Sequence, residues 1–385
     1  MRRILFGVSL FIACLILTSG SVNAAEPEKP AALEQKPPEP ADKPLEPGWF
    51  SLDCCVGLLD KAIADGKGAV ESALGVGISG FLDTGYTWSS NHPHSPANIS
   101  GRYFDKDYNK IVFNDFHIVV DKPEKDWGVG FHISGDFGRT GELLREATYW
   151  GGRNRFPTAL RDEPSAELRE AFVTTTIPLG DGIALKGGLM VTPLGTEILP
   201  NPGAYNDNIS RSFLFNYAIP LRHLGMMASY PVLKILTVQG GIFTGWDDPF
   251  DNNNQPSFHV GATLTPNDWI TFVSNFLTGP EQWHRNGPKR HVLANVLTVK
   301  PTDPLALSFE YDYGHEASIT ASGRDGTWQG WAGYATYSWS DRFTTGFRGE
   351  VFKDSDGVRT AVGRDVTLGE ITFTGSYKFT KMLIG

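Results

Sequence analysis

The sequence predicts an all-β chain, a transmembrane up-and-down antiparallel β-barrel with fourteen readable strands between residues 75 and 385. Three observations carry this. Strand-length segments alternate apolar and polar residues, very short and long connections strictly interleave, and no apolar run after the leader could cross a membrane as a helix. Composition agrees, with 43 glycines, 12% aromatic residues and little helical periodicity.

Alternation is plainest at residues 123–138, PEKDWGVGFHISGDFG. After a polar turn, Trp127, Val129, Phe131, Ile133 and Phe137 fall on one face, and His132, Ser134 and Asp136 fall on the other. Successive side chains of a strand point to opposite faces, so this strand is greasy on one side and polar on the other. Similar segments are expected at 76–89, 110–121, 127–139, 165–177, 183–193, 222–231, 234–246, 256–265, 268–279, 289–300, 304–314, 327–340, 342–353 and 364–379. They exceed the usual globular strand of about 5–6 residues and match the roughly 9–11 that cross a bilayer at a tilt.

The connections decide the architecture. Those at 122–126, 179–182, 232–233, 266–268, 301–303, 340–341 and 380–381 are short. Those at 90–109, 140–164, 194–221, 247–255, 280–288, 315–326 and 354–363 are longer and polar. Tight turns at one rim and loops at the other are the outer-membrane pattern, which a Greek-key sandwich would not keep. Trp88, Trp127, Trp246, Trp269, Trp339, Tyr313 and Phe379 sit near strand ends, where aromatic girdles belong. The rival is a soluble secreted β-protein, whose greasy faces would meet a second sheet.

Ahead of the barrel, Arg2 and Arg3 precede an apolar run at 4–17 and a small-residue end at Val22-Asn23-Ala24. This is the layout of a secretory signal peptide, residues 1–25, and the run is too short for a mature spanning helix. Residues 26–48 form a Pro-rich disordered linker, and 49–74 a short periplasmic segment with room for one helix. Adjacent Cys54 and Cys55 lack a Cys-x-x-Cys partner and read as small buried or free thiols. Three cysteines exclude a disulfide scaffold. A net charge of −9, with 27 basic against 33 acidic residues in 75–385, argues against a nucleic-acid partner.

Gly80-Phe81-Leu82-Asp83-Thr84-Gly85-Tyr86-Thr87 followed by Asn91-His92-Pro93, then Gly101-Arg102-Tyr103-Phe104-Asp105, Ser210-Arg211-Ser212-Phe213-Leu214-Phe215, Ala218-Ile219-Pro220 and Gly245-Trp246-Asp247, resemble β-barrel porin family 2, the OmpL-like porins. The likeness extends over essentially all of 75–380 and rests on the order and spacing of these pieces. It implies a channel barrel in the outer membrane of a Gram-negative-type bacterium, without naming a solute. Family members run on through a further hairpin to sixteen strands and a terminal aromatic, whereas this chain ends at Gly385. It therefore reads as a truncated copy, with closure at fourteen strands as the alternative.

If the lumen conducts, its inward polar residues do the work. Alternation nominates Asp83, Asp115, His117, His132, Asp136, Glu170, Lys186, His259, Glu310, Asp312, Arg342, Arg348, Glu350 and Lys378 as pore-lining, against the bland reading that many only solvate a wet wall. The connection 194–221 carries Phe213, Leu214, Phe215 and Tyr217, too much apolar surface for a free loop. It is expected to fold inward as a constriction with Arg211, or else to cap the rim. His92-Pro93-His94 lacks a third ligand, so no metal or other cofactor is expected. No Gly-x-Ser-x-Gly, His-Glu-x-x-His or phosphate-binding loop occurs, so no enzyme is expected. The expected function is passive diffusion of small hydrophilic solutes or ions through a barrel held in outer-membrane lipid, assembled as a homotrimer. A surplus of inward carboxylates gives a weak cation preference. A binding or structural barrel with a closed lumen is the second reading.

Overall fold

The structure, a computed structural model, describes residues 75–90, 99, 101–124, 128–150, 165–380 and 383–385, with the backbone of 7–11 and 14–17. Leader cleavage, the 26–48 linker, the 49–74 segment with Cys54 and Cys55, His92-Pro93-His94 and Trp127 lie outside the described residues.

Fourteen long antiparallel strands follow one another: β1 Gly77–Ser89, β2 Ile111–Lys122, β3 Val129–Gly138, β4 Ser165–Ile177, β5 Ile183–Val191, β6 Arg222–Leu233 and β7 Leu236–Phe243. Then come β8 Ser257–Asn267, β9 Ile270–Gly279, β10 Arg290–Thr302, β11 Leu305–Glu316, β12 Gly326–Ser338, β13 Phe343–Asp354 and β14 Val366–Tyr377. Each pairs with the next, so the order in the sheet is the order in the chain. At the seam, Leu383–Ile384 folds back on β14 and pairs with the backbone of Cys14–Leu17, which pairs with β1. The backbone of Gly7–Phe11 pairs with the other half of β1. Backbone from the expected leader thus fills the gap between the first and last long strands.

The two-residue period sets the two surfaces. On β13, Phe343, Phe347 and Val351 face out while Arg348, Glu350 and Asp354 are buried inside. On β14, Ile371 and Phe373 stand 71% and 72% exposed on the outer face. Burying one such side chain is worth about 1.5–3 kcal/mol. A belt of them around the outside is therefore stable only against hydrocarbon, with the charged side chains turned inward. No helix among the described residues is long and apolar enough to cross a membrane.

Two expectations need correction. The connection at 140–164 does not begin as a polar loop: α1, Arg139–Trp150, follows β3 directly. Leu143 and Leu144 are fully buried with Ala147 one turn on, and Tyr103 Oη donates to the Leu143 carbonyl at 3.0 Å. Trp246 is not a girdle residue. It is 1% exposed and lies inside the barrel mouth, edge-on to Trp328, with the guanidinium carbons of Arg290 and Arg359 each 4.8 Å from its ring centroid. Two cations over one indole are favourable only where the ring is turned away from lipid. Trp88, Trp269, Tyr313, Trp339 and Phe379 are exposed on the outside, as a girdle requires.

Candidate functional site

The connection between β5 and β6 carries the interior of the molecule. Its apolar centre, the π-helical turn Leu214–Ala218, is buried against Trp328, Phe352 and Trp246. The loop could not come so near with larger wall residues: a Cβ on Gly330 would stand 2.6 Å from Leu214 Cδ1, and one on Gly346 would stand 2.7 Å from the Asp207 carbonyl oxygen.

Backbone polar groups of the loop are met by wall side chains, as burial demands. Glu310 accepts from Thr196 N at 3.2 Å, and Glu350 accepts from Phe213 N at 2.6 Å. Trp328 Nε1 donates to Ala218 O at 3.0 Å, and Arg359 Nε donates to Tyr217 O at 2.8 Å. Arg348 is the centre of this face. It donates to Glu197 Oε1 at 2.7 Å, Ser210 O at 2.6 Å and Glu370 Oε1 at 2.8 Å, with Glu350 Oε1 3.1 Å from its Nε.

A second anchor holds the loop near residues 200–201. A register shift between Ser134 and Gly135 lets β4 present both Arg169 and Glu170 inward while Leu168 stays outside. Arg169 Nε donates to Asp136 Oδ2 at 2.8 Å and its Nη2 to Asp115 Oδ2 at 3.0 Å, and its Nη1 meets the Pro200 carbonyl. His117 bridges the same cluster, with Nδ1 2.8 Å from Asp136 Oδ1 and Nε2 3.1 Å from Asn201 Oδ1. Donor atoms of Asp115, His117 and Asp136 lie within 4.8 Å of one another. The guanidinium of Arg169 already supplies the positive charge there, so these donors could hold a metal only with Arg169 displaced.

The remaining nominated residues spread along the wall. His132 stacks on Phe172 at 5.1 Å and sits 3.6 Å from Glu170, whose Oε1 accepts from Val191 N at 3.1 Å. Lys186 lies 4.4 Å over the Phe172 ring. His259 Nε2 is 2.9 Å from Asn275 Oδ1, and Asp312 is fully buried two residues along β11 from Glu310. Arg342 and Lys378 stand at the short-turn rim beside Asp207. Asp83 and Arg211 line a cleft on the inner side of β1 and β2.

Sequence reasoning missed the arginines that neutralise this wall. Besides Arg169, Arg222 reaches Glu167 at 2.5 Å and Arg290 reaches Glu316 at 2.7 Å. Arg102 pairs with Glu370 and Asp105, and Arg139 with Asp107 and Glu142. Arg222 and Arg290 open their strands, a position alternation could have flagged; Arg102 and Arg139 follow loop or helix geometry, which it could not. Beyond the strand ends the electrostatics follow burial. Glu281, enclosed beyond β9, is pushed up to about 7 by burial, against Arg290 and the bonds from Ser257 Oγ and Trp246 N. Arg359 is pushed down to about 10 by burial and the neighbouring Arg290.

A polar-lined, lipid-faced, up-and-down barrel with one long loop folded inside is the architecture of an outer-membrane porin. The family model described as "Putative beta-barrel porin-2, OmpL-like" matches residues 75–384, and the chain belongs to that family. No curated protein matches the sequence. Among solved structures, the outer membrane channel DcaP of Acinetobacter baumannii is similar at a TM-score of 0.52 and 12% identity, covering 80% of this chain and 87% of that one. An anion-selective porin from Comamonas acidovorans is similar at a TM-score of 0.49 and 10% identity, covering 80% and 85%. The DcaP likeness concerns the fold alone, and by its family the chain is an outer-membrane β-barrel of the porin kind.

Proposed function

We propose that the chain is a passive diffusion channel for small hydrophilic solutes, exported by its leader, with the Pro-rich arm on the periplasmic side and no chemical step. One observation carries this reading: apolar side chains face out, and the 192–221 loop is held inside a charged inner wall by the Glu197–Arg348 ion pair and by Arg169 and His117 at Pro200 and Asn201. A loop held against a wall narrows a lumen without the wall having to change. Swelling of liposomes containing the refolded protein, in sugars of increasing size, tests it. Swelling in the smallest sugars that fades with size supports the channel, and none at all sinks it.

The second reading, a closed binding or structural barrel, is favoured by the full burial of Arg169, Asp312 and Arg348. It predicts a heat-modifiable barrel that is silent in the same assay. On selectivity, the wall arginines offset only part of the buried carboxylates, and the remaining surplus supports a weak cation preference. A small cation-selective reversal potential in a salt gradient fits this, and clear anion preference refutes it. Assembly as a homotrimer completes the proposal, and chemical cross-linking in native outer membranes tests it.

A further inference from the structure

Between residues 104–107 of the first long loop, the inner faces of β1 and β2, and residues 209–211 lies a cleft open to solvent. Most charges around it are already paired, Arg139 with Asp107 and Glu142, and Arg102 with Asp105 and Glu370. Two are not. Among the described residues Arg211 makes no hydrogen bond or ion pair; its guanidinium carbon lies 5.7 Å from the Phe215 ring centroid. Asp83 takes one long hydrogen bond, from Asn114 Nδ2 at 3.4 Å. The two attract each other electrostatically but form no ion pair. Phe104 and Val112 line the same cleft and add apolar surface to it.

A guanidinium with idle donors is built to take a carboxylate through two parallel bonds, and an idle carboxylate to take an ammonium. Opposite unpaired charges lining one cleft suit a ligand carrying both complements. We propose that this cleft binds a small zwitterion, an α-amino acid with an apolar side chain, its carboxylate on Arg211 and its ammonium on Asp83. The inference deepens the channel reading and rests on it, naming the solute class that pauses on the way through. A monoanion or a monoamine satisfies only one of the two groups and leaves the other unmatched, so each binds less tightly.

The test is equilibrium dialysis of the refolded, heat-modifiable full-length barrel in detergent. Radiolabelled leucine is the probe, with 4-methylpentanoate and isopentylamine as the single-charge analogues. Leucine is expected to bind about tenfold tighter than either, the effect of one charge-assisted contact. Arg211→Gln should erase the preference for leucine over isopentylamine and keep that over 4-methylpentanoate, and Asp83→Asn should do the reverse. A structural role for either residue would not produce this reciprocal pattern. Leucine bound no tighter than both analogues, or unchanged in both variants, overturns the proposal. Bilayer recordings in KCl on the same samples separate the two readings. Steady conductance without leucine binding leaves the channel and removes the site. Reciprocal binding in a silent barrel leaves the site and removes the channel.

Discussion

Replacing Arg348 by Ala should loosen the inward loop more than any other single wall substitution. The side chain is fully buried and donates to Glu197, Ser210 and Glu370 with Glu350 alongside. Its removal leaves three carboxylates around one spot without their shared cation. Glu197 and Ser210 both belong to the loop, so the loop loses two attachments to the wall together. Breaking a buried pair by removing one partner costs about 3–5 kcal/mol. Placed on the equilibrium between docked and released loop, that is a shift of roughly 150- to 4,000-fold toward release. Single-channel records should show larger and noisier openings, and the urea midpoint of the heat-modifiable band should fall. Arg348→Lys should lie between, since an ammonium keeps the charge but lacks the fork that reaches several acceptors. Unchanged conductance, noise and urea midpoint in the Ala variant would refute the anchoring role.

On the outer face, Phe373→Arg at 72% exposure should destabilise the barrel by about 2–4 kcal/mol if it sits near the bilayer midplane. The folding yield into lipid vesicles should fall while a soluble inner-wall change such as Thr372→Ser is tolerated; equal yields would place this face away from lipid. Glu281 makes a pH prediction. Its carboxyl is raised from the ordinary 4.5 to about 7, so the folded state holds the proton more tightly than the unfolded chain. That stabilisation is complete below the unfolded value, declines as pH rises through 7, and amounts to about 3 kcal/mol in all. The urea midpoint should therefore drop between pH 5 and pH 8, and Glu281→Gln should flatten the profile. A midpoint that rises over the same range would contradict the burial of this group in its acid form.

Much of the barrel was legible because one face meets lipid and the other does not, which forces the two-residue period onto strands such as Leu305–Glu316 and Phe343–Asp354. The same period placed His117, Asp136, Glu310, Arg348 and Glu350 inside. It failed where the backbone leaves that period. The shift opposite Ser134 and Gly135 turns Arg169 inward beside Glu170, and no alternation rule anticipates a residue whose neighbour shares its face. The helix Arg139–Trp150 was hidden because its buried apolar side chains, among those described, are Leu143, Leu144 and Ala147, about one turn within a long polar stretch. Trp246 sits at a strand end, where girdle and lumen positions look alike in sequence. Only its contacts with Arg290 and Arg359 assign it to the interior. The loop's apolar surplus did announce an inward path, but Glu197–Arg348 and Asn201–His117 join residues 151 and 84 positions apart, beyond any local pattern.

The most direct measurement is the single-channel conductance of the refolded protein in planar bilayers, compared with a variant lacking residues 203–217. Steady openings that become larger in the deletion variant are the predicted result, since the excised segment includes the Phe213–Tyr217 stretch buried inside the barrel. A heat-modifiable barrel that stays silent with and without the loop would contradict the channel.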